Sequence, residues 1–180
     1  MADATIFDNL NFEFGTLAQR FREMCYLTKG LKIRFVDERE DQEYSLYFEG
    51  GTVSFVRHLN KNRQTVHQRP IYAERNINGV NVEVALQYFD GQAEVAYFFA
   101  NNINTIDGGT HQTGFRQALT RTLNEYARKA SILKDNDPNL TGEDVREGLT
   151  AIVSVKLPEP QFEGQTKTRL GNSEVTPLVA

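Results

Sequence analysis

The hydrophobic and polar positions of the first third of the chain predict a helix, a hairpin and a second, shorter helix. Residues 12–28 repeat apolar side chains every three or four positions, which is typical of an amphipathic helix. Residues 31–36 and 43–48 alternate between apolar and polar and are separated by a charged turn at 37–41. We therefore predict a β-hairpin there, followed by a short helix over residues 53–59.

The middle of the chain has the pattern of a β-meander. Residues 71–76, 80–89 and 94–100 are rich in the residues that favour strands. Asn78-Gly79 lies between the first two segments and Asp90-Gly91 between the second and third, and both dipeptides favour tight hairpin turns. We therefore expect three consecutive antiparallel strands.

The last part of the chain predicts one long helix and one buried strand. The helix begins near Thr110 and carries Phe115 and Leu119 on one face. Residues 149–157 are apolar and β-branched, which predicts a central strand, and residues 172–180 could begin a helix that leads out of the domain. This order of elements predicts an α+β domain with helices packed on one sheet.

Composition limits the classes of protein that fit. The chain has 180 residues and a formal net charge of −4, which argues against a strongly basic nucleic-acid-binding surface but not against a local basic patch. The one cysteine, Cys25, lies in an apolar helical pattern, so we predict a buried thiol, no disulfide framework and a reducing cytosol. The sequence contains no apolar run of membrane-spanning length. The pattern at both ends leads us to expect a piece of a longer protein.

Motifs for catalysis are sparse. His58, His67 and His111 have no ligand-like spacing, so no metal site is predicted. Gly108-Gly109-Thr110-His111 opens the long helix and could bind an anion through backbone N–H groups. It lacks the Lys-Ser/Thr of a phosphate-binding loop, so a tight loop with a helix cap is the favoured interpretation. An autonomous small-molecule kinase would need such a glycine-rich loop, which the sequence does not contain.

Two basic features keep both a structural and a functional interpretation. Residues 162–170 combine a glycine, the amide of Gln165 and the cation of Lys167, which fits either an exposed mobile loop or a contact to a phosphate. The position of Arg116 on the long helix is consistent either with a side of that helix that faces solvent or with a basic surface that contacts the DNA backbone.

Several motifs, taken together and in this order, closely resemble the transducer domain of the bacterial DNA gyrase B subunit, a type IIA topoisomerase of the GHKL superfamily. The topoisomerase IV B subunit is the second match. The motifs are Gly108-Gly109-Thr110-His111, Gly114-Phe115-Arg116, Thr120-Arg121-Thr122-Leu123-Asn124, Arg146-Glu147-Gly148-Leu149 and Phe162-Glu163-Gly164-Gln165-Thr166-Lys167.

The resemblance implies a fold and a domain layout. The fold would be a two-layer α+β domain similar to domain two of ribosomal protein S five, with a mixed sheet, helices on one face and a left-handed β-α-β crossover. Residues 1–172 would form the transducer domain. Residues 173–180 would begin the connection towards a TOPRIM domain that the chain does not contain.

The resemblance also implies a function and three site residues. The chain would couple ATP binding and hydrolysis in a preceding GHKL domain to DNA strand passage and negative supercoiling, as part of an isomerase. Lys167 would be the switch lysine that contacts the γ-phosphate, Gln165 would join it, and Arg116 would face a DNA-filled cavity. His111, Arg121 and Glu147 are expected to be structural.

Cofactors and partners follow from the same resemblance. ATP and Mg²⁺ would be bound mainly by the absent ATPase domain, with no cofactor in this fragment, which would be inactive and monomeric by itself. The partners would be the GHKL and TOPRIM domains, the gyrase A subunit, double-stranded DNA and a second copy in the full-length cytoplasmic protein, without a membrane. The loop carrying Lys167 is expected to be poorly ordered. The alternative is a stand-alone nucleic-acid-binding module of the same fold.

Overall fold

The computed structural model describes residues 3, 5–6, 8 and 10–180 of the chain. The chain divides into two compact units, residues 1–51 and residues 52–180. Met1 and Ala2, which contributed to the expectation of a longer protein, lie outside the described residues.

The first unit is a helix packed against a hairpin. It contains α1 (Phe14–Leu27), β1 (Lys32–Asp37) and β2 (Gln42–Tyr47), and β1 pairs antiparallel with β2, which confirms the predicted hairpin. Aromatic rings join the helix to the hairpin, since the ring centroids of Phe14 and Phe35 are 4.7 Å apart. Cys25 is fully buried and its thiol lies 3.7 Å from the carbonyl oxygen of Leu46, so the predicted buried role is confirmed.

The second unit contains the remaining elements, and its first helix begins at the last residue of the first unit. The elements are α2 (Gly51–Leu59), β3 (Ile71–Ile77), β4 (Val80–Tyr88), β5 (Val95–Ala100), β6 (Ile103–Asn104), α3 (Thr110–Lys129), a 3₁₀ turn (Asp144–Arg146), β7 (Leu149–Lys156), β8 (Phe162–Glu163), β9 (Arg169–Leu170) and α4 (Val175–Val179). None of the helices within the described ranges is long and apolar enough to cross a membrane.

The five-stranded sheet is not the predicted meander. Its order is β3-β4-β7-β5-β6, so β7 lies between β4 and β5, antiparallel to the first and parallel to the second. The prediction of a hairpin at Asp90-Gly91 is therefore wrong. The N–H groups of Phe89 and Asp90 bond instead to the carbonyl oxygens of Gly148 and Gln64, at 2.9 and 2.8 Å. Residues 149–155 are buried on both faces. A strand at the centre of a sheet that is covered on both sides is shielded from water on both faces, which suits this apolar strand.

Helices cover both faces of this sheet, which corrects the prediction of helices on one face. Neighbouring side chains of a strand point to opposite faces. On β5, Phe99 meets Phe55 of α2 at a ring-centroid distance of 6.2 Å, while Phe98 meets Phe115 of α3 at 6.1 Å. The sheet therefore lies between α2 on one side and α3 on the other.

The face towards α2 carries a buried polar network. The hydroxyl of Thr52 donates to the carboxylate of Glu83 at 2.8 Å, and the amide of Asn60 donates to the side-chain oxygen of Gln87 at 3.1 Å. Thr150 of β7 in turn donates to the side-chain oxygen of Asn60 at 2.7 Å. Buried polar groups that find such partners specify one register, because a slipped strand would leave them unpaired.

The face towards α3 is apolar, and α4 closes one end of it. Val175 of α4 is fully buried, and the hydroxyl of Thr176 donates to the carbonyl oxygen of Thr110 at 3.1 Å. The two helices approach closely at Gly114, where a Cβ would lie 2.4 Å from the carbonyl oxygen of Thr176. The domain boundary at residue 172 remains a prediction. The structure shows that α4, which follows this residue, packs on α3.

Candidate functional site

The loop that carries Gln165 and Lys167 is the tip of a small hairpin. Strands β8 and β9 pair Phe162 with Leu170 and Glu163 with Arg169. The strands have two residues each, which is too short for an alternating pattern, so sequence reasoning missed them. Gly164 and Lys167 have positive φ angles of 74° and 55°, which turn the chain back on itself.

The side chains of Gln165 and Lys167 are exposed at this tip. The ammonium group of Lys167 lies 5.8 Å from the centroid of the Phe162 ring, at the outer limit of a cation–π contact. Within the part of the chain that the structure describes, Lys167 forms no ion pair with a carboxylate. The cation is therefore available to an anion from outside the chain, as the proposed phosphate contact requires.

Backbone hydrogen bonds attach the hairpin to the loop that precedes α3. The N–H of Asp107 donates to the carbonyl oxygen of Thr168 at 2.9 Å, and the N–H of Leu170 donates to that of Gly108 at 3.1 Å. Gly109 has a φ of 133°, and a Cβ there would lie 2.3 Å from the carbonyl oxygen of Leu170. The missing side chain of Gly109 thus allows close backbone packing, which agrees with the favoured interpretation of a tight loop.

His111 of this motif is a structural histidine. Its side chain is fully buried, and its Nε2 lies 3.0 Å from the hydroxyl of Thr105. Since Thr105 donates to the carbonyl oxygen of Phe98 at 2.9 Å, the histidine Nε2 donates to Thr105. Burial lowers the pKa of His111 to about 4, so the ring is neutral at physiological pH.

Arg116 lies on α3 and shares a carboxylate with a second arginine. Its Nη2 is 3.1 and 3.2 Å from the two carboxylate oxygens of Glu94, and the Nε of Arg146 is 3.2 Å from one of them. Sequence reasoning missed Glu94 and Arg146 as partners, because 22 and 52 positions separate Glu94 from the two arginines. The parallel pairing of β5 with β7 brings Glu94 and Arg146, which precede these two strands, close together, and α3 supplies Arg116.

The site residues therefore lie at two places. Gln165 and Lys167 share the hairpin tip, whereas Arg116 is held in the ion pair with Glu94. Arg121 donates to the carbonyl oxygen of Ala180 at 2.5 Å, and Glu147 is exposed. Among the described residues, no group of three or more histidine, cysteine, aspartate or glutamate side chains could hold a metal ion.

In structure, this chain is similar to part of the ATPase region of a DNA gyrase B subunit. It is similar to the crystal structure of the 43K ATPase domain of Thermus thermophilus gyrase B in complex with an aminocoumarin, with 40% identity and a TM-score of 0.85. The similarity covers 97% of this chain and 47% of that one.

The family itself follows from sequence. The family model described as DNA gyrase B matches residues 51–180, and the chain belongs to this family. It is 59% identical over 164 residues to the DNA gyrase B subunit of Halalkalibacterium halodurans and 56% identical over 178 residues to that of Clostridium acetobutylicum. These matches cover 91% and 98% of the chain but only 26% and 28% of the two relatives.

Two expectations are corrected by these findings. The chain matches part of a gyrase B ATPase domain, so the ribosomal-protein-S-five-type fold with its left-handed crossover was the wrong assignment, and the fold is that of the ATPase region. The expectation that ATP belongs to an absent ATPase domain and that this fragment takes no cofactor was wrong for the same reason.

The described residues offer hydrogen-bond donors for the phosphate groups of a nucleotide, but they do not offer the ligands that a metal ion needs. The exposed ammonium of Lys167 and the amide of Gln165 are donors suited to an anionic phosphate. The carboxylate cluster that Mg²⁺ prefers is not found among the described residues, so no step is derived through that ion.

Proposed function

We propose that this chain is the transducer part of the ATPase region of an ATP-dependent type IIA DNA topoisomerase, in which it couples ATP binding to DNA strand passage and negative supercoiling. The observation that carries the proposal is the exposed cation of Lys167 at the tip of a hairpin whose base is bonded to the start of α3. Gyrase B relatives over nearly the whole chain support it.

Lys167 and Gln165 are the residues that would hold the terminal phosphate of ATP. A lysine ammonium forms a charge-assisted contact with a γ-phosphate, which ADP does not possess. ATP, when bound, supplies that anionic group and the free energy of its hydrolysis. The position of the hairpin tip thereby reports the state of the nucleotide.

A change in the position of the hairpin would be transmitted to α3, because the two are joined by hydrogen bonds. The bonds from Asp107 to Thr168 and from Leu170 to Gly108 join the moving tip to the loop at which α3 begins. Arg116 is on the second turn of that helix, where we place it at the cavity through which the DNA duplex passes. The proposal includes the partners that such an enzyme needs: the remainder of the ATPase region and the TOPRIM part of the same protein, the gyrase A subunit, a second copy of the protein, and DNA in the cytoplasm.

The test is Lys167→Ala in the full-length protein assembled with its gyrase A partner. We expect ATP hydrolysis and supercoiling to fall at least tenfold, with thermal unfolding unchanged, because the side chain is exposed. Lys61→Ala, another exposed lysine of the same unit, is the matched control and should retain both activities. ATP hydrolysis close to that of the unmodified protein in Lys167→Ala would overturn the proposed switch.

A further inference from the structure

A cleft of about 550 Å³ lies at the end of the sheet where β4 begins and β7 ends, within the second unit. Three segments of the chain form its walls: the turn between β3 and β4 at Asn78, residues 157–159 after β7, and α4 together with Glu174, the residue before it. Small-molecule sites in proteins usually have volumes of about 300–1,000 Å³, so the cleft has the size of such a site.

Most of the lining of this cleft is apolar. Val80 and Leu157 are each 7% exposed and belong to one core cluster, against which Leu178 packs. Pro158 and Pro177 complete the apolar lining, and both are exposed. Because a proline has no backbone N–H, these two positions offer a ligand carbon surface and no hydrogen-bond donor.

The polar part of the lining is acidic. Glu159 and Glu174 line the cleft, and Asn78 adds a neutral amide. Among the described residues, no lysine, arginine or histidine lines the cleft, and neither glutamate forms an ion pair. Two carboxylates without a counter-charge, beside apolar surface, favour a ligand that carries a positive charge on an apolar body.

The side chain of Asn172, which is 2% exposed, fixes the two segments that carry these glutamates. Its amide nitrogen donates to the carbonyl oxygen of Glu159 at 3.2 Å and to the carboxylate of Glu174 at 2.8 Å, while its oxygen accepts from the N–H of Gln161 at 2.6 Å. The bond from Asn172 also holds the pKa of Glu174 below its usual value, so this carboxylate is ionised at neutral pH. The acidic side of the cleft is therefore positioned by the fold.

We propose that this cleft binds a small organic cation, an ammonium group attached to an apolar ring or chain. Glu159 and Glu174 bind the charged group, and Val80, Leu157 and Leu178 contact the apolar part. The three walls limit the ligand to the volume of a small molecule, which favours a free amine over an extended protein segment. This site goes beyond the proposed function and depends on neither ATP nor DNA.

The experiment is two-dimensional NMR of the ¹⁵N-labelled 180-residue chain at neutral pH and low salt, titrated with phenylethylamine. The backbone amide signals of Val80, Leu157 and Leu178 should shift, with a dissociation constant on the order of 1 mM, as expected for a ligand with few non-hydrogen atoms. Phenylpropionate has the same ring and chain but a negative charge, so it should bind at least tenfold more weakly.

Variants of the two glutamates test the origin of the affinity. Glu159→Gln and Glu174→Gln should each weaken binding of phenylethylamine about threefold, and the double variant about tenfold, as is typical of partly exposed charge pairs. Glu125→Gln, an exposed glutamate of α3 outside the cleft, is the matched control and should bind as the unmodified chain does. The neutral analogue phenylethanol should bind the double variant and the unmodified chain equally, which shows that the apolar lining is intact.

Three results would overturn the proposal. One is equal affinity for phenylethylamine and phenylpropionate, and another is a double variant that binds phenylethylamine like Glu125→Gln. The third is binding without shifts at Val80, Leu157 and Leu178. A peptide, acetyl-Leu-Lys-Leu-amide, that binds the cleft at least tenfold more tightly than phenylethylamine would instead assign it to a protein partner.

Discussion

The carbonyl oxygen of Leu170 lies 2.3 Å from the place that a Cβ on Gly109 would occupy. This approach joins the base of the Lys167 hairpin to the residue before α3, and it is possible only because Gly109 has no side chain. The φ of 133° at Gly109 is also rarely adopted by other residues. Gly109, one of the glycines that the sequence offered as a possible anion site, therefore allows the hairpin to pack closely on the start of α3.

Gly109→Ala should lower the free energy of unfolding by about 2 kcal/mol or more, because backbone strain adds to a clash with a backbone neighbour. Urea unfolding measures the loss. Gly164→Ala is the matched control in the same hairpin, since its φ is 74° and a Cβ there would meet no atom within 4 Å. It should cost only about 1–2 kcal/mol for the left-handed conformation. Equal losses in the two variants would contradict the role assigned to the contact with Leu170.

Asn60→Ala should destabilise the second unit by about 2–3 kcal/mol, because it leaves Gln87 and Thr150 with unpaired polar groups in a buried layer, and each such group carries a desolvation cost. The shift of the urea midpoint measures it. Asn76→Ala on β3, where the side chain is exposed, should change stability by less than about 0.5 kcal/mol. A similar small effect at Asn60 would mean that water replaces the lost bonds.

His111 makes stability depend on pH between about 6.5 and 4. Burial lowers the pKa of the folded histidine to about 4, whereas the unfolded chain binds the proton near its ordinary pKa of about 6.5. Below pH 6.5 the unfolded state therefore binds more protons, and stability falls as pH decreases until the folded pKa is reached. The full loss should be on the order of 3 kcal/mol, measured by urea unfolding across this range.

His111→Gln is the control for this pH dependence. Its side-chain amide can still donate to Thr105 but does not titrate. The variant should keep His58, His67 and every carboxylate, so the difference in slope between it and the unmodified chain isolates His111. A variant whose stability falls as steeply with pH would assign the effect to other groups.

Local pattern was enough to locate most elements. The periodic apolar positions predicted α1, α2 and α3, and the Asn78-Gly79 dipeptide predicted the β3–β4 hairpin that the structure contains. These predictions succeeded because helix periodicity and tight turns depend on neighbours along the chain. The combination of motifs also led to the gyrase B family, which the comparisons confirm.

Only some residues of the candidate site could be identified from the sequence alone. Lys167 and Gln165 could be selected as donors for a phosphate because they lie beside a glycine in one short segment. Glu94 and Arg146 could not, because a carboxylate shared by two arginines depends on distance in space and not on spacing along the chain. The same holds for the contact between Gly109 and Leu170.

By itself the sequence determined the types of the main helices and strands, the family, and the two donors at the hairpin tip. Only the tertiary structure decided that β7 enters the sheet between β4 and β5, and that α2 and α3 cover opposite faces. The reason is that an apolar strand such as residues 149–155 can be buried equally well beside several partners. The choice is made by contacts between distant residues, such as Asn60 with Thr150 and Phe98 with Phe115.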